Sequence, residues 1–299
     1  MASASPSSLI RPEILSGFGN LELLARAVVS GVMIGLHRSP RFGFSQEFAE
    51  YRSYNEGDDP RFVDWNVYAR TGKTFVKRFL GDTNSQLTVL LDVSGSMGFQ
   101  SQHISKLTYG KYLAASLAYL ASEQHDATGL ILFDETVQSY RAPSTRTGTF
   151  QGIVAQLENA ETGAGTNLHE PFEHLAAHLS RRGMVAVISD FYCDPEKMLE
   201  SIRPLAMQGQ DIMLFHLLDK EEINPSIGDR MTMEDIETGE TVPVSDEFLR
   251  EHYPARIREH IDQLAETSAR LRADYLQLNT SDPLDEALRN YLLFRQKRG

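Results

Sequence analysis

Four continuous apolar runs, Leu87–Leu91, Thr128–Phe133, Met184–Ile188 and Ile212–Leu218, are separated by stretches with helical apolar spacing. A strand with no polar alternation has to be covered on both of its faces. The covering segments are helix-patterned at Ile104–Leu120 and at residues 149–160, 168–181 and 195–207, and Leu107, Leu113, Leu117 and Leu120 fall near one face of the first. Strands alternating with helices predict a parallel sheet joined by right-handed crossovers. The expected fold class is therefore α/β, a doubly wound, mostly parallel sheet of Rossmann type.

The flanks differ in texture. Before the sheet, Leu21–Leu36 has a helical pattern, His37–Arg70 reads as irregular, and Lys73–Phe79 alternates with period two, as a strand with one wet face does. After it, Met231–Ile236 and Glu240–Val244 flank Glu237-Thr238-Gly239 and read as a hairpin. A long amphipathic helix at about 246–272, a strand at Asp274–Leu278 and a final helix at about 283–296 follow. This last βα unit is expected to return to the main sheet. The organisation read from the sequence is an N-terminal extension, 1–82, and an α/β domain, 83–299, with a small β-hairpin excursion at about 229–245.

The segment Leu91-Asp92-Val93-Ser94-Gly95-Ser96-Met97 ends a buried strand on an acid and then offers hydroxyls at alternate positions. Ligands of open α/β sheets bind outside the carboxyl ends of the strands, so the D-x-S-x-S spacing aims one carboxylate and two hydroxyls at one crevice. Gly95 is expected to let the backbone curl. Two further segments should reach the same edge. Gly163-Ala-Gly-Thr166 is a glycine-rich loop with a hydroxyl just before a helix, and Val187-Ile-Ser-Asp190 ends another buried strand on an acid. Hard oxygen donors carrying few charges suit Mg²⁺ or Mn²⁺, with water completing an octahedron. Asp92, Ser94, Ser96, Thr166 and Asp190 are thus the candidate metal ligands. Taken alone, the Asp-Ser-Ser triplet is also what a helix N-cap looks like; Thr166 and Asp190 weigh against that reading.

Composition narrows the function classes. A net charge of −12 disfavours general nucleic-acid binding, which neutralises phosphates with Lys and Arg, and suits a cation or a basic partner. Cys193 is the only cysteine, which removes an intrachain disulfide and a Cys-based zinc site. A membrane span needs about twenty apolar residues, whereas Ala27–Leu36 is short and interrupted by Ser30, Gly31 and Gly35. The small, polar N-terminus has neither a basic start nor an apolar signal core. The expectation is a cytoplasmic protein with no membrane span.

The D-x-S-x-S segment, with Thr166 and Asp190 downstream, resembles the metal-ion-dependent adhesion site of von Willebrand factor A-like domains. Upstream, Arg52-Ser-Tyr54-Asn-Glu-Gly57-Asp58-Asp59-Pro-Arg61-Phe-Val-Asp64-Trp65, then Ala69-Arg70 and Phe75-Val-Lys77, resembles the signature of the bacterial family catalogued as "domain of unknown function fifty-eight". The resemblance covers roughly residues 20–220. It implies a von Willebrand A-like α/β domain, a bound divalent ion, and a partnership with a MoxR-type AAA+ ATPase as adaptor or co-chaperone. Within the upstream block Gly57-Asp58-Asp59-Pro60 reads as a turn and Trp65 as a core anchor. Arg52, Asp58, Asp59, Arg61, Asp64 and Arg70 form either a charged network clamping the extension to the sheet or a surface for a partner.

Several enzymatic motifs fail by a named residue. Thr71-Gly72-Lys73-Thr74 lacks the earlier glycine of a phosphate-binding loop, where Val67 stands. His169-Glu170 would need a histidine at Glu173 for a zinc protease, and His174 and His178 read as surface residues. There is no G-x-S-x-G elbow, and Ser94 stands where a haloacid-dehalogenase-type phosphatase has its second acid. The expected function is a non-enzymatic, divalent-metal-dependent protein-interaction module in which a client's Asp or Glu completes the coordination. The alternative is a metal-dependent hydrolase, a phosphoesterase using a metal-bound water. A third reading is a scaffold whose site no longer binds metal.

Overall fold

The structure is a computed structural model that describes residues 20–37, 47–54, 63–80, 86–163, 165–179, 181–225, 231–234, 241–244 and 248–298. The chain divides into two compact units, Met1–Val32 with Ser85–Gly299, and Met33–Asn84.

The larger unit is built on a six-stranded sheet. Its strands in chain order are β3 (Gln86–Asp92), β4 (Ala127–Phe133), β5 (Val137–Ser144), β6 (Met184–Ser189), β7 (Asp211–Leu218) and β10 (Asp274–Asn279), arranged β10-β7-β6-β3-β4-β5. All neighbours are parallel except β4 and β5. This is the doubly wound order, with the strand order reversing between the parallel strands β3 and β6, where such sheets open a crevice. The expected fold class holds, and β10 does return to the sheet.

Period-two alternation explains the covering on both faces. Leu90, Val187 and Leu214 join a buried cluster with Phe172 and Leu175 of α5 (His169–His178), Met198 and Ile202 of α6 (Pro195–Met207) and Leu264 of α8 (Tyr253–Arg270). Their neighbours Leu91, Ile188 and Leu217 face α3 (Lys106–Glu123), where a Cβ on Gly110 would lie 2.8 Å from the Leu91 side chain. Glycine lets the helix sit that close to the sheet. On the same face the Phe215 ring meets Tyr291 of α9 (Leu284–Arg298) edge-on at 5.1 Å.

Helix α1 (Leu21–His37) begins in the larger unit, with Leu24, Ala25 and Val28 fully buried. Its Arg26 lies 5.6 Å above the Tyr119 ring of α3, and the Leu21 amide donates to Glu158 at the end of α4 (Thr149–Glu158). Leu21–Val32 therefore pack with this unit.

The edge strand β5 is absent from the sequence reading. Every residue in Val137–Ser144 is half-buried or exposed, and Pro143 lies within it. Edge strands tolerate polar residues and proline, so the strand leaves no apolar signal.

The smaller unit holds β1 (Glu47–Ser53) paired antiparallel with β2 (Phe75–Leu80), and α2 (Trp65–Thr71) between them in sequence. Neither β1 nor α2 was expected in a stretch read as irregular. Asp64 starts α2 by accepting from the Val67 amide at 3.1 Å, and Gly72, at φ +67°, ends it. Trp65 is 61% exposed and meets only the edge of Tyr68 among the described ring pairs, so it is not the core anchor expected of it. Gly57-Asp58-Asp59-Pro60 and Arg61 lie outside the described residues, as does the turn Glu237-Thr238-Gly239. On either side of that turn, β8 (Met231–Glu234) and β9 (Thr241–Val244) pair antiparallel, as the hairpin reading expected.

Candidate functional site

Asp92 ends β3 and Asp190 follows β6, so the reversal point brings both acids to one crevice, each fully buried. Asp92 is held on both oxygens. Its Oδ1 accepts from the Ser94 amide at 2.9 Å and its Oδ2 from the Ser189 hydroxyl at 2.6 Å. Gly95 opens a short 3-10 turn, Gly95–Gly98, without a left-handed φ. The curl expected of Gly95 comes instead from the Asp92–Ser94 bond.

The Ser94 and Ser96 hydroxyls lie 3.1 Å apart, as the alternate spacing requires. Ser94 does not cap the 3-10 turn with its side chain, and the N-cap of α3 is Ser105, which accepts from the Thr108 amide. The capping explanation of the triplet therefore fails, and both hydroxyls remain grouped beside the acid.

Thr166 is half-buried on a loop tied down at both ends. The Gly163 amide donates to the Val93 carbonyl at 2.6 Å, and the Asn167 amide to the Asp134 carbonyl at 2.9 Å. A Cβ on Gly163 would run into the Asp134 carboxylate, so glycine is what lets this loop close onto the ends of β3 and β4.

Lys106, the first residue of α3, was missed. Its ammonium is fully buried, 2.7 Å from Asp190 Oδ2 and 2.6 Å from Glu222 Oε1, and lies 4.9 Å from the Tyr192 ring centre. Burial pulls its pKa down, but the charges of Asp190 and then Glu222 outweigh this and raise it. The helical period held a clue. Lys106 shares a buried face with Tyr109, Gly110, Leu113 and Leu117, and a lysine in such a stripe demands a buried counter-charge. Glu222 belongs to the short helix α7 (Lys220–Ile223), fixed by a capping box with Asp219. Asp219 in turn accepts from the Ser101 amide and hydroxyl and from Thr280.

The electrostatics favour a cation. Burial, then the Asp190 charge, pushes Asp92 from 3.8 up to about 7, although the bonds from Ser189 and Ser94 pull the other way. Asp190 Oδ1 is buried without a hydrogen-bond partner. A buried carboxylate oxygen with no donor is costly unless something positive meets it. Among the described residues no group of three or more His, Cys, Asp or Glu side chains is placed to hold an ion. Any ion here would rely on hydroxyl oxygens as well as the two acids, and Asp92, Ser94, Ser96 and Asp190 fit that description.

Beside the site, burial lowers the His216 pKa to about 3, which keeps the ring neutral, and its Nδ1 lies 2.5 Å from the Tyr275 hydroxyl. Burial pushes the Cys193 thiol up to about 12, which makes it inert. His174 and His178 stack at 4.2 Å beside Tyr140; His178 is exposed, as expected of both, whereas His174 is half-buried. Among the described residues no helix is long and apolar enough to cross a membrane.

The chain is 28% identical over 291 residues to the uncharacterized protein Rv1480 of Mycobacterium tuberculosis, covering 93% of this chain and 90% of that one. An uncharacterized protein of Mycobacterium bovis, Mb1516, matches to the same extent. Among solved structures it is similar to the conserved hypothetical protein BatB from Bacteroides thetaiotaomicron, at 16% identity and a TM-score of 0.49, over 71% of this chain and 99% of that one. It is also similar to the SpRpn10 VWA domain, at 12% identity and a TM-score of 0.40, over 68% and 93% respectively. The family model described as "Protein of unknown function DUF58" matches residues 50–263, well over half of the sequence, and the chain belongs to that family.

Proposed function

We propose that this protein is a divalent-metal-dependent protein-interaction module, acting in the cytoplasm as an adaptor or co-chaperone for a MoxR-type AAA+ ATPase. The observation that carries the metal reading is the unpartnered buried Asp190 Oδ1, in the crevice where burial and the Asp190 charge already hold the Asp92 pKa well above the ordinary carboxylate range. Asp92, Ser94, Ser96, Thr166 and Asp190 would hold Mg²⁺ or Mn²⁺. When bound, such an ion supplies a Lewis-acidic position that a carboxylate from outside can complete. The chain's own part is to fix the donors. Ser189 and the Ser94 amide orient Asp92, Lys106 orients Asp190, and Gly163 seats the loop carrying Thr166. A client or partner would offer the Asp or Glu. The ATPase itself rests on the family resemblance.

The hydrolase reading needs a base beside the ion. Of the basic side chains described beside Asp190, Lys106 is committed to a pair of carboxylates. His216 bonds Tyr275 through Nδ1, while its Nε2 is buried without a partner and burial holds the ring's pKa down to about 3, which makes it a weak base. The test is affinity capture from native lysate by the wild type, by Asp92→Ala and by the wild type in excess chelator. Capture that persists in both perturbed cases rejects the proposal, and Mg²⁺-dependent phosphatase turnover lost in Asp92→Ala would favour the hydrolase.

A further inference from the structure

The acidic cluster carries its own counter-charge. Asp190 and Lys106 are wholly buried, Glu222 is nearly so, and Asp92 lies in the same cluster, coupled through charge to Asp190. Once Asp92 is ionised, three carboxylates against one ammonium leave an excess of two negative charges, which one divalent cation would balance. Lys106 is not placed there by helix preference. A cation in the first turn of a helix faces the positive end of the dipole, so it is the two carboxylates, with the Tyr192 and Phe99 ring faces beside them, that hold it. Its ammonium takes Asp190 Oδ2 and leaves Oδ1 free. Glu222 competes with Asp190 for that same ammonium from a rigid turn, anchored by the Asp219 capping box and by the Tyr253 hydroxyl bonded to the Glu222 carbonyl.

We infer that Lys106 is a tethered counter-cation that sets divalent affinity in opposition to Glu222. Removing the ammonium strengthens ion binding, and removing the Glu222 charge weakens it. The inference rests on the metal reading of the same site. Both are positioning residues, since neither is offered as an ion ligand. Lys106 holds the cluster together while no ion is bound, at the expense of the affinity a bare trio of acids would have. Glu222 draws part of that positive charge away from Asp190. For unit charges a few ångströms apart beneath a protein surface, the effect expected on the dissociation constant is about tenfold or more in each direction.

The test uses the full chain as wild type, Lys106→Met and Glu222→Gln, titrated with Mg²⁺ by calorimetry and with Mn²⁺ by its paramagnetic resonance signal. The expected order of affinity is Lys106→Met tightest, wild type next, Glu222→Gln weakest. Thermal unfolding adds a second readout. Lys106→Met should lose stability in chelator and recover more than wild type when Mg²⁺ is added. A merely structural lysine would move both variants the same way or leave affinity unchanged, and either result overturns the inference. If Lys106→Met does not fold even with Mg²⁺, Glu222→Gln decides alone, and affinity equal to or above wild type refutes it. A wild type that binds neither ion rejects the metal reading and this inference with it, whereas wild-type binding with unaltered variants rejects only the inference.

Discussion

Asp92→Asn should stabilise the protein in the absence of divalent ions, and only at the pH where the wild-type acid is charged. Burial raises this carboxyl from 3.8 to about 7. Each unit corresponds to about 1.4 kcal/mol, so the ionised side chain costs the fold roughly 4 kcal/mol above pH 7. The sign follows from proton binding. Between about pH 4 and 7 the native state holds the proton that the unfolded chain has released, so stability falls as pH rises through this window. Asparagine keeps an oxygen for the Ser94 amide but turns its amide towards the Ser189 hydroxyl, which now donates to Asp92. That mismatch returns about 1 kcal/mol. Urea unfolding in chelator should therefore show Asp92→Asn more stable than wild type by about 2–4 kcal/mol at pH 8, and by about 1 kcal/mol or less at pH 5. Excess Mg²⁺ should raise the wild type and not the variant. Equal midpoints at pH 5 and 8 would refute the assignment of Asp92 as a buried, electrostatically unfavourable acid.

Ser189→Ala removes the donor to Asp92 and the acceptor for the Phe191 amide. It should cost about 1–3 kcal/mol and extend the pH-dependent fall in stability to higher pH, both read from urea midpoints across pH. Gly163→Ala pushes the Thr166 loop off the Asp134 carboxylate; Mn²⁺ affinity should fall about tenfold, as it does when supporting contacts of a metal site are lost. Trp65→Ala should change stability by no more than about 1 kcal/mol in thermal unfolding, because the ring is 61% exposed and touches Tyr68 only by its edge.

The main sheet was legible because strands such as β3 and β6, covered on both faces, leave uninterrupted apolar runs, and the helices over them leave a 3.6-residue period. The D-x-S-x-S turn was legible because its three side chains lie within five residues. What escaped is what local pattern cannot encode. Strand β5 is polar because it is an edge, and β1 becomes a strand only by pairing with β2, more than twenty residues away. Trp65 reads as an anchor by residue type alone, and only the packing around it leaves it exposed.

By itself the sequence determined the fold class and nominated Asp92, Ser94, Ser96, Thr166 and Asp190. It did so because strand ends, turn residues and helix starts are written in neighbouring positions. Only the tertiary structure decided what charge that site carries. Lys106, Ser189 and Glu222 are far apart in sequence and meet at the ends of the parallel strands β3 and β6, where the strand order reverses. In that buried crevice, desolvation makes every unpaired charge expensive, and so the partners brought in by topology set how strongly the acids call for a cation.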